Sequence, residues 1–257
     1  MNAALLDVQS VSKRFGGFAA LTDVSLGVRA GERLGIIGPN GSGKTTLINC
    51  ICGALRGHRG TILFDGHDVT GLAPYQRTRL GIARSFQIPR PFASMSLVDN
   101  VAVPLEYVAR RDLTDRDLAP RDSKRRGPLA AADIRAEALA ILDQMGLQAG
   151  ADALAATLTQ VGLRKLELAR AMAARPRLLI LDEVMAGLSS TEVDEVLALL
   201  FTLSERGVTI LMIEHIMRAI MRFSERVVCL DAGRVMAEGP PATIAADPMV
   251  RRIYLGA

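Results

Sequence analysis

The chain has 257 residues, 49% of them hydrophobic but only 4% aromatic, and a formal charge of +4. That length suits one sizeable α/β domain, alone or with a smaller insert, and a core of Ala, Leu, Ile and Val suits helices packed on a parallel sheet. No stretch approaches the roughly 18–20 uncharged apolar residues of a membrane span, and Met1 leads almost directly into an apolar run at Leu5, which leaves no room for a signal peptide.

The expectation is therefore a cytosolic protein. Cys50, Cys52 and Cys229 are odd in number and lie in apolar surroundings, which favours buried reduced thiols over disulfides or a metal site. Much of the net charge sits between positions 110 and 126, where Arg110, Arg111, Arg116, Arg121, Lys124, Arg125 and Arg126 outnumber four aspartates. Such asymmetry fits an anionic neighbour such as lipid headgroups, and a solvated loop equally well.

In chain order, Leu5–Val11, Ser25–Val28 and Leu34–Ile37 read as strands, and Thr61–Asp65 follows after Gly57 and Gly60. Ile82–Phe86 is a further short apolar run. From Met95 to about Leu158, Ala, Leu, Arg and Asp recur at helical spacing, which predicts a helical insert. Within it, 110–128 carries Pro120 and Pro128 and little periodicity, as a loop or frayed helix does. Strand and helix then alternate: Arg177–Leu181, an amphipathic helix over Thr191–Glu205, Val208–Ile213, and a hairpin of Val227–Leu230 with Arg234–Ala237 around Gly233. Two short helices are expected after Pro240.

Between the strand at Leu34 and a helical run starting near Leu47 stands Gly38-Pro39-Asn40-Gly41-Ser42-Gly43-Lys44-Thr45-Thr46. This is G-x-x-x-x-G-K-[ST] in a strand–loop–helix setting, the pattern that holds the phosphates of a nucleoside triphosphate. Glycines let the loop wrap with its amides inward, because no Cβ blocks positive φ or the approach of phosphate oxygens. The helix start adds unpaired amides and a positive dipole end. Lys44 is placed to reach the β- and γ-phosphates, and the Thr45 hydroxyl to ligate Mg²⁺.

Downstream, the strand at Leu178 closes on Asp182-Glu183. A buried parallel strand ending in Asp delivers that carboxylate to the sheet edge where a phosphate loop also lies. Asp182 then suits Mg²⁺, and Glu183 suits polarising the water that attacks the γ-phosphate. Standing alone, such an end is more often a solvated acidic turn. Ile210–His215 is another buried strand, ending in His, and Gln87 follows a short strand; neither is informative by itself.

The order of these features is informative. Phosphate loop, Gln87, helical insert, Leu158-Thr159-Gln160-Val161-Gly162, Asp182-Glu183 and His215 follow one another as in the ATPase subunits of ABC transporters, and the chain resembles that family over nearly its whole length. The resemblance implies a P-loop NTPase core with a parallel or mixed sheet, an antiparallel β portion at the N-terminus and an inserted helical subdomain. It divides a single domain into core (1–87 and 162–239), helical subdomain (88–161) and helical tail (240–257).

The same resemblance gives ATP and Mg²⁺ as cofactors and assigns roles by motif. Phe15 stacks on adenine, and Gly38 to Thr46 hold the phosphates. Thr45, Gln87 and Asp182 serve the metal, while Glu183, His215 and Gln87 act on the γ-phosphate and the attacking water. Gly187-Leu188-Ser189-Ser190 stands where a dimer-contacting loop follows. In a head-to-tail dimer, Thr159 and Gly162 would contact the nucleotide of the opposite subunit.

Two departures stand out. The family's signature, typically Leu-Ser-Gly-Gly-Gln, reads Leu158-Thr159-Gln160-Val161-Gly162, so Val161 takes the place of a Gly and Gly162 that of the Gln. A β-branched residue there hinders close backbone approach. Val184 replaces the Pro that usually follows the acidic pair.

Within the family, Ser85–Phe92, Ile213–Met217 and Ile253–Gly256 look like the ATPases of branched-chain amino acid importers, whose relatives import urea or export lipopolysaccharide. Integral membrane permeases, a second ATPase subunit (same or related) and, indirectly, a solute-binding protein are the implied partners, without nucleic acid. The implied location is the cytoplasmic face of the bacterial inner membrane, with docking just after Gln87. The rival readings are a soluble P-loop enzyme uncoupled from transport, such as a GTPase or small-molecule kinase, and a non-transport ABC protein acting on ribosomes or DNA. A GTPase should show an Asn-Lys-x-Asp guanine motif, which is absent, and a kinase would not need Gln87, the 158–162 segment and His215 in this order; a non-transport ABC protein usually carries two cassettes or a long coiled-coil insert.

Overall fold

A computed structural model describes residues 4–85, 89–108 and 131–255. In chain order the elements are β1 (Ala4–Phe15), β2 (Phe18–Arg29), β3 (Arg33–Ile37), α1 (Lys44–Ile51), β4 (Arg59–Phe64), β5 (His67–Asp68), α2 (Pro74–Leu80) and β6 (Ile82–Ser85). They continue with α3 (Leu97–Tyr107), α4 (Ala131–Gln144), α5 (Gln160–Ala173), β7 (Leu178–Asp182), α6 (Ser190–Glu205), β8 (Thr209–Ile213) and α7 (Met217–Phe223). The chain ends with β9 (Arg226–Asp231), β10 (Arg234–Gly239), α8 (Pro241–Ala246) and α9 (Pro248–Leu255).

Two sheets form. The larger has the order β10-β9-β3-β8-β7-β6, parallel except for β10, which runs antiparallel to β9 as the expected hairpin. The smaller is antiparallel, in the order β2-β1-β4-β5. The N-terminal antiparallel portion and the parallel core read from the sequence are both present.

The central strands are apolar throughout because both faces are covered. Leu178 and Ile180 of β7 face the cluster that joins α1 to the antiparallel sheet, with Leu47, Ile48, Leu6 and Phe64. Their neighbours Leu179 and Leu181 face a second cluster with the helices α3 to α7. Alternation of period two is thus hidden inside a run that is apolar at every position.

Several expectations need correction. The first two strands are each 12 residues long, not short runs at Leu5–Val11 and Ser25–Val28. They continue through the polar Ser12, Lys13 and Arg14 because the Gly16-Gly17 turn pairs Phe15 with Phe18 and zips the backbones together. The helix α2 was not foreseen; Pro74 at its first turn and Gly81 in left-handed conformation at its end mark it. The stretch 110–128 lies outside the described residues. On its flanks, α3, α4 and α5 pack on one another, as a helical insert requires. The expected break at 161/162 falls inside the first turn of α5, since the Thr159 side chain caps that helix. Cys50 and Cys229 are buried and Cys52 half-buried, all as free thiols.

One buried cation fixes the helix behind the phosphate loop. Arg77 donates from Nη1 to the Cys50 and Ile51 carbonyls at 2.6 and 2.7 Å, closing the C-terminal end of α1. Those carbonyls carry the negative end of the helix dipole, so a guanidinium there is favourable.

Candidate functional site

The loop between β3 and α1 is bound from three sides. Gly233, in the β9–β10 turn, donates its amide to the Ser42 carbonyl at 3.0 Å and accepts from the Thr22 amide of β2 at 2.8 Å. Gly43 has φ of +104°, and a Cβ there would lie 2.6 Å from the Ala20 carbonyl oxygen. At Gly38 a Cβ would lie 2.2 Å from the Leu230 carbonyl oxygen. Only glycine fits either position.

Inside the loop, Lys44 Nζ donates to the carbonyls of Gly38 and Pro39 at 2.7 and 2.9 Å. Burial holds its ammonium below the ordinary lysine range, while the Glu183 and Asp182 carboxylates pull the other way. The cation therefore already feels the acidic pair across the site.

A cavity of about 230 Å³ lies over this loop. It is lined by Phe15 and Phe18 of the β1–β2 hairpin, by Asn40, Gly41 and Gly43 to Thr46 of the loop and helix start, and by Glu183. Phe15 is 47% exposed, with Lys13 Nζ 5.3 Å from its ring centroid. Phe18, across the hairpin, lines the same cavity and was not singled out in the sequence. Its signal was present: an exposed aromatic symmetric with Phe15 about Gly16-Gly17.

Asp182 ends β7 and is nearly buried. One carboxylate oxygen accepts from Arg84 Nη2 at 2.5 Å, and Arg84 Nη1 donates to Asn49 Oδ1 of α1 at 2.6 Å. Arg84 thus joins β6, β7 and the helix behind the phosphate loop. Glu183 follows with φ of +50°, a conformation disfavoured for a residue with a Cβ, and its amide donates to the Ile213 carbonyl at 2.9 Å. His215 Nδ1 stands 4.0 Å from Glu183 Oε2, with the His side chain 60% exposed. Glu214, just before it, is buried and receives the Met185 amide at 2.9 Å.

The structure thus brings together Phe15, the phosphate loop, Asp182, Glu183 and His215. Gln87 lies outside the described residues. Thr159 is exposed at the start of α5, where its Oγ1 accepts from the Gly162 amide at 3.3 Å. Gly162 is buried in that turn; a Cβ on it would lie 3.1 Å from Leu158 Cδ2. Val161 is half-buried against the helix-side core, and Val184 is buried. Gly187 has φ of +80°, and a Cβ there would lie 4.0 Å from Gln160 Oε1, so the loop after Glu183 passes beside the start of α5.

The sequence profile of the ABC transporter family matches residues 21–186, and that of the branched-chain amino acid ATP-binding cassette transporters matches residues 234–257. The high-affinity branched-chain amino acid transport ATP-binding protein BraF of Pseudomonas aeruginosa is 37% identical over 100% of this chain and 99% of its own. Among solved structures, the ADP conformation of the ABC transporter cassette MJ1267 superposes with a TM-score of 0.84 at 29% identity, covering 99% of this chain and all of that one. The dimeric post-hydrolysis state of the cassette MJ0796, bound to ADP and Pi, gives 0.76 at 25% identity over 92% of this chain and 98% of the other. With the phosphate loop and Glu183 on one cavity, Asp182 and His215 beside Glu183, and matches of this extent, the chain belongs to the ABC transporter family as an ATPase of that family.

Proposed function

We propose that this chain is the ATP-binding and ATP-hydrolysing subunit of a branched-chain amino acid importer, acting on separate membrane permeases. The observation that carries the ATPase chemistry is that Glu183, far along the chain from Lys44, lines the same cavity as Lys44, Thr45 and Thr46. The cargo reading is supported by full-length similarity to BraF and by the match of the C-terminal segment. Among the described residues no helix is long and apolar enough to cross a membrane, so coupling to transport calls for a separate membrane partner.

In the proposed mechanism Phe15 and Phe18 take the adenine, and the loop amides with Lys44 take the β- and γ-phosphates. Lys44 leaves the Gly38 and Pro39 carbonyls for phosphate oxygens of higher charge. The Thr45 hydroxyl and the Asp182 carboxylate oxygen not held by Arg84 are hard donors that fit Mg²⁺, which when bound neutralises charge on the phosphate oxygens. Glu183 accepts a proton from the attacking water, and His215 and Gln87 bear on the γ-phosphate.

Thr159 and Gly162, at the capped start of α5, are proposed to meet the nucleotide held by a second subunit. ATP then acts as the ligand that favours the closed dimer. An apolar groove of about 380 Å³ between α3, α5 and β6, lined by Ile82, Val103, Pro104 and Tyr107, is the proposed seat of the permease at the cytoplasmic face. Val103, Pro104 and Tyr107 of α3 carry part of that surface.

The test uses two variants and a transport assay. Lys44→Ala is expected to lose ATP binding by fluorescence titration, and near-normal affinity would reject the phosphate site. Glu183→Gln is expected to bind ATP yet hydrolyse it at least ~100-fold more slowly. In vesicles reconstituted with the cognate permease, leucine uptake driven by ATP supports the cargo, and uptake of none of leucine, isoleucine and valine rejects it.

A further inference from the structure

The turn that follows Glu183 is gripped from two directions. On one side the Met185 amide donates to Glu214 Oε1 at 2.9 Å. On the other, Arg164 Nη2 of α5 donates to the Ala186 carbonyl at 3.2 Å. Both gripping side chains are buried: Glu214 is 1% exposed and Arg164 8%. Val184 and Met185, in the same turn, are buried as well.

Such a pair is an expensive way to hold a turn. Burial pushes the Glu214 carboxyl up to about 7, and the Glu183 carboxylate adds to the shift, while the Met185 amide and Arg164 oppose it. Its second oxygen, Oε2, has no hydrogen-bond partner among the described residues. An apolar side chain in that space would avoid both costs. What the pair does provide is location. Glu214 precedes His215, Arg164 lies on the helix capped by Thr159, and the turn between them begins with Glu183 at a left-handed φ. A residue with a Cβ stays there only when its surroundings enforce it.

We propose that Glu214 and Arg164 are positioning residues for hydrolysis: they hold the 183–186 turn so that Glu183 stays in the phosphate cavity, and they tie that turn to the Thr159-capped helix. The inference rests on Glu183 acting on the attacking water. A loosened turn lets φ of Glu183 relax and its carboxylate leave the water, while the phosphate loop is untouched. The loss therefore falls on kcat and spares ATP affinity. A role confined to stability would lower the melting temperature and leave kcat of the folded fraction alone.

The experiment compares Glu214→Leu, Glu214→Gln and Arg164→Met with Glu183→Gln, measuring ATP affinity, kcat, KM and melting temperature. Glu214→Leu is expected to keep KM within about twofold and lose at least ~10-fold in kcat, the scale of effect that misplacing a catalytic group produces. Glu214→Gln, whose amide oxygen still accepts the Met185 N–H, is expected to restore kcat to within about twofold of wild type. Wild-type kcat in folded Glu214→Leu, or an equal loss in Glu214→Gln, overturns the proposal. Should Glu214→Leu fail to fold, Arg164→Met decides: reduced kcat at unchanged KM supports the grip, and wild-type kcat refutes it. A slow Glu183→Gln beside a normal Glu214→Leu removes this inference alone, whereas wild-type turnover in Glu183→Gln removes the assignment of Glu183 itself.

Discussion

Replacing Arg84 with methionine tests how the acidic end of the site is held. The Arg84–Asp182 pair has an N···O distance of 2.5 Å, with side chains 14% and 8% exposed, so water does little to screen it. Arg84→Met keeps most of the aliphatic volume but strands the Asp182 carboxylate and frees Asn49 Oδ1. Removing one partner of a buried pair costs about 3–5 kcal/mol. At roughly 2–4 °C per kcal/mol for a chain of this size, the melting temperature should fall on the order of 10 °C.

Adding Asp182→Asn removes the uncompensated charge, so the double variant should recover at least half of that loss. Both are measured by circular dichroism melts without nucleotide or Mg²⁺. A drop under about 2 °C for Arg84→Met, or a double variant that loses the sum of the two singles, would refute the reasoning. If Asp182 also serves Mg²⁺, then ATP with Mg²⁺ should raise the melting temperature of Arg84→Met by more than that of wild type.

Val161→Gly removes the branched side chain from the second position of α5, beside the exposed Thr159. Because Val161 is half-buried in its own subunit, stability should fall by about 0.5–1 kcal/mol. ATP-induced dimerisation, followed by light scattering in the Glu183→Gln background, should strengthen several-fold; an unchanged dimer affinity means that this position does not face the second nucleotide. Glu214 gives a pH signature. Its folded value near 7 lies above the ordinary 4.5, so the native state holds a proton that the unfolded chain has released. Stability contributed by the neutral form is full below about pH 4.5 and falls as pH rises toward 7, by up to about 3 kcal/mol. Glu214→Gln cannot ionise, so its melting temperature should gain on wild type between pH 5 and 8; parallel curves would show that Glu214 ionises freely.

The phosphate loop was legible because its chemistry is local. Gly38 and Gly43 are required where they stand, and the apolar strand before them and the helix after them need no distant information. The strand ending in Asp182-Glu183 was legible for a similar reason: burial on both faces leaves an unbroken apolar run that stops where the carboxylates begin. Partners remote in the chain were not legible. Arg84 reads as an ordinary charge in a short strand, since its carboxylate lies 98 positions away. Nothing near Arg77 in the sequence marks it as buried, since the Cys50 and Ile51 carbonyls it caps lie 27 and 26 positions away. Glu214 passes unmarked before the strand-ending His215, because nothing near it in the sequence announces that the Met185 amide will need an acceptor. The long β1–β2 hairpin was underestimated because pairing, not hydrophobicity, carries the strands through Ser12 to Arg14.

The distribution of exposure across the site bears on how it works. Lys44, which holds the loop, and Asp182, which Arg84 holds, are buried, whereas Phe15 and His215 are open to solvent. Thr159 is equally open at the capped end of a helix whose own phosphate loop lies elsewhere in the subunit. Binding energy collected on the buried groups is available to one chain alone, while contacts on the open groups grow only when another surface covers them. On the proposed reading that surface is a second subunit, so ATP binds the covered arrangement better than the open one, and this difference is the only part of its affinity that can do work on a permease. Placing Glu183 on a turn gripped by Glu214 and by Arg164 of the Thr159 helix then has a physical consequence: the geometry that permits hydrolysis is mechanically joined to the face that senses closure.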